Sequence, residues 1–199
     1  MDLLLDTRDY ILIAGGAIWA FWEFVKMYRI RKHRKKSPVE TDSKITSKIY
    51  AALWPLQGEY RALRVYIIQY HNGDRYYSGQ SIQRASVTHE VVSPGESSAN
   101  HVKANNQNIS ISTRLHQINI ELARTGIFRI DLKEQCKEEE MQQWLSVYGV
   151  ESLFYVKLAN ERNQIIGMLC IEWGEPNAID GRAPHILEYK KQIETIFNE

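Results

Sequence analysis

The pattern of apolar and polar positions divides the chain unevenly. From Ile11 to Trp22 the sequence ILIAGGAIWAFW carries no charge, and within ten residues it meets the cluster Arg29, Arg31, Lys32, Arg34, Lys35 and Lys36. A helix from Tyr10 to Tyr28 would rise about 1.5 Å per residue and span roughly 28 Å, close to the thickness of a bilayer's hydrocarbon core. Glu23 and Lys26 interrupt its last third, where an i, i+3 pair reaches toward the headgroups rather than sitting at mid-bilayer. Trp19, Trp22 and Tyr28 are amphipathic aromatics of the kind that favour the membrane interface. Asp2, Asp6 and Asp9 precede the run and the basic cluster follows it, which gives a positive-inside orientation with the N-terminus outside. A cleaved signal peptide needs positive charge before the run and a small-residue cleavage site after it, and neither is present. The pattern predicts a single-pass anchor in the inner, cytoplasmic membrane: residues 1–9 outside, a transmembrane helix over 10–28 and a basic juxtamembrane linker over 29–42. An interfacial helix and a helix buried against a partner are the competing readings.

After Ser43 the periodicity becomes that of one globular domain, residues 43–199. Ile45, Ile49, Ala52, Leu53 and Leu56 recur at helical spacing behind the polar linker SPVETDS, and Pro55 is expected to kink or end that helix. Arg64 to His71 reads as a central strand stopped by a tight turn at Asn72-Gly73, and Ser81 to Val92 as a second strand. Glu96 to Asn108 is polar and predicts a loop. A helix then carries Leu115, Ile118 and Leu122 and closes at Gly126, followed by a short strand from Ile127 to Leu132. Lys137 to Tyr148 predicts a helix, Val150 to Leu158 and Gln164 to Trp173 a strand hairpin, and Ala183 to Phe197 a final helix. This order predicts an α+β fold with a mainly antiparallel sheet flanked by helices.

Charge narrows the partners. Residues 1–36 hold eight of the 25 basic residues and four of the 24 acidic ones, so the remainder of the chain is mildly acidic despite an overall charge of +1. A domain of that sign lacks the concentrated basic face that a nucleic-acid backbone requires. Cys136 and Cys170 are far apart and form neither a disulfide framework nor a zinc spacing, as expected of thiols kept reduced in a cytosolic compartment.

The stretch Gly149 to Trp173, GVESLFYVKLANERNQIIGMLCIEW, resembles the last two strands of the GAF domain, a small relative of the PAS sensory fold, and Gly167 matches that family's usual glycine in the final strand. Arg64 to Gly73 is similar to the family's first strand, Glu90 to Gly95 to the segment after the second, and Thr125 to Asp131 to its helix-to-strand step. HNG followed by THEVVSPG is also similar to small bacterial and phage membrane proteins with GAF-like domains. The resemblance, over about residues 43 to 197, implies a ligand-sensing module. The chain departs from several of the family's subgroups. It has no N-K-x-D signature of the cyclic-nucleotide binders, no cysteine in the context of a bilin attachment site, and too few cysteines for the methionine sulfoxide reductases of this fold.

Candidate chemistry is sparse. His71 and Asn72 close the first strand and are either polar contacts of a bound molecule or parts of a turn. His89 and Glu90 are neighbours on the second strand and face opposite ways, so at most one points inward. Asp131 on the short strand either accepts a hydrogen bond from a ligand or ends the strand. His71, Asn72, His89 and Asp131 are therefore the candidate ligand-binding residues. Nothing in the spacing of His71, His89 and Glu90 requires a metal. No G-x-S-x-G, H-E-x-x-H or phosphate loop is present, so no catalytic residue and no cofactor is predicted. The expected function is a membrane-anchored cytosolic sensor without an output domain of its own. It would bind a small molecule or a protein partner and pair with a second copy through the helix around Ile45 to Leu56. The alternative is a membrane adaptor that binds no ligand.

Overall fold

The computed structural model describes residues 18–27, 38–75, 81–95, 101–111, 115–131, 139–176, 178 and 183–198. The chain divides into two compact units, Met1–Ser43 and Lys44–Glu199. In the first, residues 18–27 form helix α1, on which Ile18, Trp19, Phe21, Trp22, Phe24 and Met27 are all exposed. Lys26 Nζ lies 3.6 Å from Glu23 Oε1, the i, i+3 pair that the sequence predicts. Among the described residues no helix is long and apolar enough to cross a membrane. Ile11 and the basic residues Arg29, Arg31, Lys32, Arg34, Lys35 and Lys36 lie outside the described residues.

Helix α2 (Pro38–Tyr60) runs through two of the sequence-based boundaries. Pro38 begins it, because a proline at the first helical position gives up only an amide that has no partner there. The expected linker over 37–43 is thus largely the start of this helix. Pro55 does not end it. The proline deprives only the carbonyl of exposed Ala51, which water can reach, while buried Leu56, Gln57 and Tyr60 hold the last turn in place. Gln57 Nε2 closes the end on the Ala62 carbonyl at 2.8 Å.

Strands β1 (Arg64–Arg75), β2 (Ser81–Val92), β3 (Ile109–Ser110), β4 (Ile127–Asp131), β5 (Ser152–Ala159) and β6 (Ile165–Trp173) form one antiparallel sheet in the order β3-β2-β1-β6-β5-β4. The turn expected at Asn72-Gly73 is absent. Asn72 pairs with Gln83 and Arg75 with Ser81, and the ladder absorbs the glycine as an irregularity. The polar stretch expected to be a loop contains helix α3 (Val102–Asn105), anchored by buried Val102. Helix α4 (His116–Thr125) closes on Gly126, whose φ of 82° is the left-handed conformation that only glycine adopts freely. Helices α5 (Glu139–Val147) and α6 (Ala183–Phe197) complete the order.

Side-chain alternation gives the sheet two faces, each with its own core. Val65, Ile67, Leu169, Ile171 and Trp173 pack on Ile49, Leu53 and Leu56 of α2 and Ile186 and Ile193 of α6. Tyr66, Ile68, Tyr155, Met168 and Cys170 pack on Val102 of α3, Ile118 and Leu122 of α4 and Leu145 of α5. Cys170 is a buried free thiol, as its place in an apolar strand predicts, and Cys136 lies outside the described residues.

Candidate functional site

The face that carries α3, α4 and α5 concentrates the buried polar chemistry. Arg64 and Tyr66 of β1, Tyr155 of β5 and Glu172 of β6 meet at its centre, because cross-strand pairing sets Arg64 opposite Glu172 and Tyr66 and Tyr155 opposite Cys170. Arg64 Nε donates to Glu172 Oε2, and neither side chain is exposed. Glu172 Oε1 accepts from Tyr66 at 2.5 Å and from Tyr155, whose hydroxyls are 2.9 Å apart. Arg64 Nη2 donates to the Tyr148 carbonyl at 2.8 Å, and the guanidinium lies 5.1 Å from the Tyr148 ring centroid. Burial opposes the charge on Arg64, yet the carboxylate beside it more than offsets that and holds the guanidinium protonated. Burial first, and the Glu172 charge second, push both tyrosine hydroxyls well up, so they remain donors. The cluster satisfies both carboxylate oxygens and fills the middle of this face with the protein's own side chains.

Farther along β1 the polar bookkeeping does not close. Tyr70 donates its hydroxyl to Asn119 Oδ1 on α4, and burial pushes the phenol up, which keeps it a donor. Asn119 Nδ2 is buried and has no partner, the one such side-chain atom among the described residues. Tyr70, Ile109 and Ile111 pack at the edge of the apolar cluster that includes Leu115 and Ile118. Along the outer side of α4, between Gln117, Ile120 and Glu121 and the strand residues Phe128 and Arg129 of β4, runs an open groove of about 730 Å³.

The four candidate residues read from the sequence do not converge. His71 has the strand parity of Val65 and Ile67, on the α2 and α6 side, and its Nε2 lies 2.9 Å from Ser86 Oγ. His89 faces α2 as well, in edge-on contact with Tyr50 at 5.5 Å, where burial and, secondarily, the charge of Lys103 push its pKa down to about 4. His89 pairs with Ile67, four residues from His71 along β1, a separation of about 13 Å. Glu90 points the other way, as alternation predicts, and caps α3. The backbone of Asn72 pairs with Gln83, and that of Asp131 with Ser152 on the far side of the sheet; the side chains of both lie outside the described residues. Among the described residues no three His, Cys, Asp or Glu side chains gather to hold a metal ion. Asn119 carries no sequence signal beyond a polar residue between Ile118 and Ile120. Glu172 does, as the lone charge in the apolar strand β6, and Arg64 stands at the head of the apolar run Val65 to Ile68; a charge so placed is rarely buried unless paired.

No protein-family model and no curated protein matches the sequence. Solved structures match the fold. GAF3 from Slr1393 of Synechocystis sp. PCC6803, in its photoproduct state, superimposes with a TM-score of 0.57 at 14% identity over 77% of this chain and 92% of that one. The phycocyanobilin-bound GAF domain from a cyanobacterial phytochrome gives 0.57 at 12% identity, covering 86% of this chain and 88% of that one. A Staphylococcus aureus NreA protein mutated in its nitrate binding site gives 0.50 at 15% identity, covering 75% of this chain and 95% of that one. The chain has a GAF-like fold.

Proposed function

We propose that this chain is a sensory or regulatory module that binds a small molecule on the α4-bearing face of its GAF-like sheet and is held at the cytoplasmic membrane by a single N-terminal helix. The observation that carries the reading is the orphaned Nδ2 of Asn119. A buried donor without a partner costs about 1–3 kcal/mol, and a ligand acceptor placed there removes that cost. Tyr70 fixes the amide so that Nδ2 is the atom left to recognise a ligand. Among proteins of this fold, one is bound to phycocyanobilin and another has a nitrate binding site.

Membrane anchoring rests on the exposed apolar surface of α1 together with the charge pattern around it. The basic residues from Arg29 to Lys36 would then lie at the cytoplasmic leaflet, next to lipid headgroups. Pairing with a second copy rests on α2, where Trp54 is 55% exposed on the side away from the sheet, between small Ala51 and Gly58. A ligand-free adaptor that works through protein contacts is the second reading, favoured by the way Tyr66, Tyr155 and Cys170 fill the centre of the α4-bearing face.

Native mass spectrometry of the whole chain, purified in detergent micelles, separates the two. A non-covalent adduct of one small molecule per chain, lost in Asn119→Leu, is the result the sensory reading expects. A chain whose mass is that of the polypeptide alone, folded and stable, favours the adaptor.

A further inference from the structure

Strand β2 carries a one-residue bulge at Thr88. Ile67 pairs with His89 and Ile68 with Val87, which leaves Thr88 outside the ladder. In a regular strand Val87 and His89 would share a face; the extra residue turns His89 to the opposite one. There its Nδ1 lies 2.9 Å from Thr88 Oγ1 and its Nε2 3.5 Å from Thr46 Oγ1 of α2, with the Tyr50 ring edge-on at 5.5 Å. The next residue faces the other way. The Glu90 carboxylate accepts from the Val102 amide at 2.7 Å and the Lys103 amide at 3.0 Å, and lies 3.5 Å from His101 Nδ1. Val87 fastens the other end of α3, donating to the Asn106 carbonyl at 3.0 Å and accepting from Gln107 Nε2 at 2.8 Å.

We infer that the bulged segment from Val87 to Glu90 is a mechanical link that couples α3, on the face assigned to the ligand, to α2 on the other face. The inference rests on the sensory reading for its purpose and on geometry for its existence. Residues 89 and 90 are consecutive, so a displacement of α3 that drags Glu90 moves the backbone of His89 and with it the contact on Thr46 and Tyr50. Thr88 stands outside the backbone pairing and is tied to β1 through its side chain, Oγ1 donating to the Ile67 carbonyl at 3.4 Å, so a shift of the segment stretches that long bond and leaves the β1–β2 pairs on either side in place. A regular strand would be stiffer and would also turn His89 away from α2. The receiving helix is the one that follows α1 in the chain. Coupling of this kind needs both elements to respond to one perturbation.

Hydrogen exchange on the full-length, ligand-free chain tests it. Glu90→Gln weakens the carboxylate's hold on the Val102 and Lys103 amides, and exchange at residues 102–106 rises. The link predicts that exchange at residues 45–50 of α2 rises with it, threefold or more, and that this second rise disappears when His89→Leu is added. Gln107→Ala loosens α3 by a different bond and serves if Glu90→Gln does not fold. An unchanged α2 beside a loosened α3 overturns the link, as does an α2 response that survives His89→Leu. Failure of both variants to loosen α3 overturns it too. No ligand is present in the experiment, so its failure leaves the small-molecule reading intact, and the loss of that reading leaves the coupling measurable.

Discussion

Arg64 stands directly across the β1–β6 ladder from Glu172, and its guanidinium donates to that carboxylate with both side chains wholly buried. A buried pair is a weak source of net stability, but a half-broken one is costly, because the remaining charge has nowhere to go. Arg64→Met is expected to cost about 3–5 kcal/mol, and the double change Arg64→Met/Glu172→Met to recover most of it. Urea denaturation of the three chains reads this as a large fall in midpoint followed by a rise. Equal losses in the single and double variants would mean that the pair is not what the carboxylate depends on.

The acid side of the stability profile should carry the signature of His89. An unconstrained histidine titrates near 6.5, and burial, with Lys103 second, lowers His89 to about 4. Between those values the unfolded chain takes up a proton that the folded chain refuses. The contribution of this group is therefore constant above about pH 6.5 and is lost progressively as pH falls toward 4. Melting temperatures of the wild type and His89→Gln across that range are expected to converge on acidification, because the variant has no proton to take up. Parallel curves would count against a buried neutral His89.

Two glycines should respond in opposite directions to the same change. A Cβ at Gly167 would lie 2.1 Å from the Ile68 carbonyl oxygen, a backbone atom that cannot step aside without spreading β1 from β6. Gly167→Ala is expected to destabilise by about 3 kcal/mol, the upper end of overpacking costs, or to prevent folding. At Gly58 in α2 an added Cβ meets nothing within 4 Å, and Gly58→Ala is expected to stabilise by about 0.5–1 kcal/mol through lost freedom of the unfolded chain. Thermal melts compare both with the wild type.

Where periodicity and local chemistry agreed, the chain could be read directly: β2 and α6 have the bounds that the pattern predicts, and Gly126 ends α4 as expected. Local rules failed where tertiary context outweighed them. Pro55 is harmless because its side of α2 faces solvent, and Asn72-Gly73 stays in the ladder because β2 continues opposite it. The candidate site was less legible for a related reason. A bulge at Thr88, which no periodicity announces, decides which face His89 occupies, and the partners Arg64 and Glu172 are 108 residues apart. Asn119 becomes notable only through what it lacks, and an unmet hydrogen bond leaves no trace in a sequence.

The central claim, that the α4-bearing face receives a small molecule at Asn119, is tested most directly by the side-chain amide resonances of Asn119 in ¹⁵N–¹H spectra. The full-length chain is compared as purified and after denaturation, dialysis and refolding. The account predicts that both amide signals move on stripping, as Nδ2 loses its acceptor, and return when the dialysed low-mass fraction is added back. Identical Asn119 signals in the purified, stripped and replenished chain would contradict it.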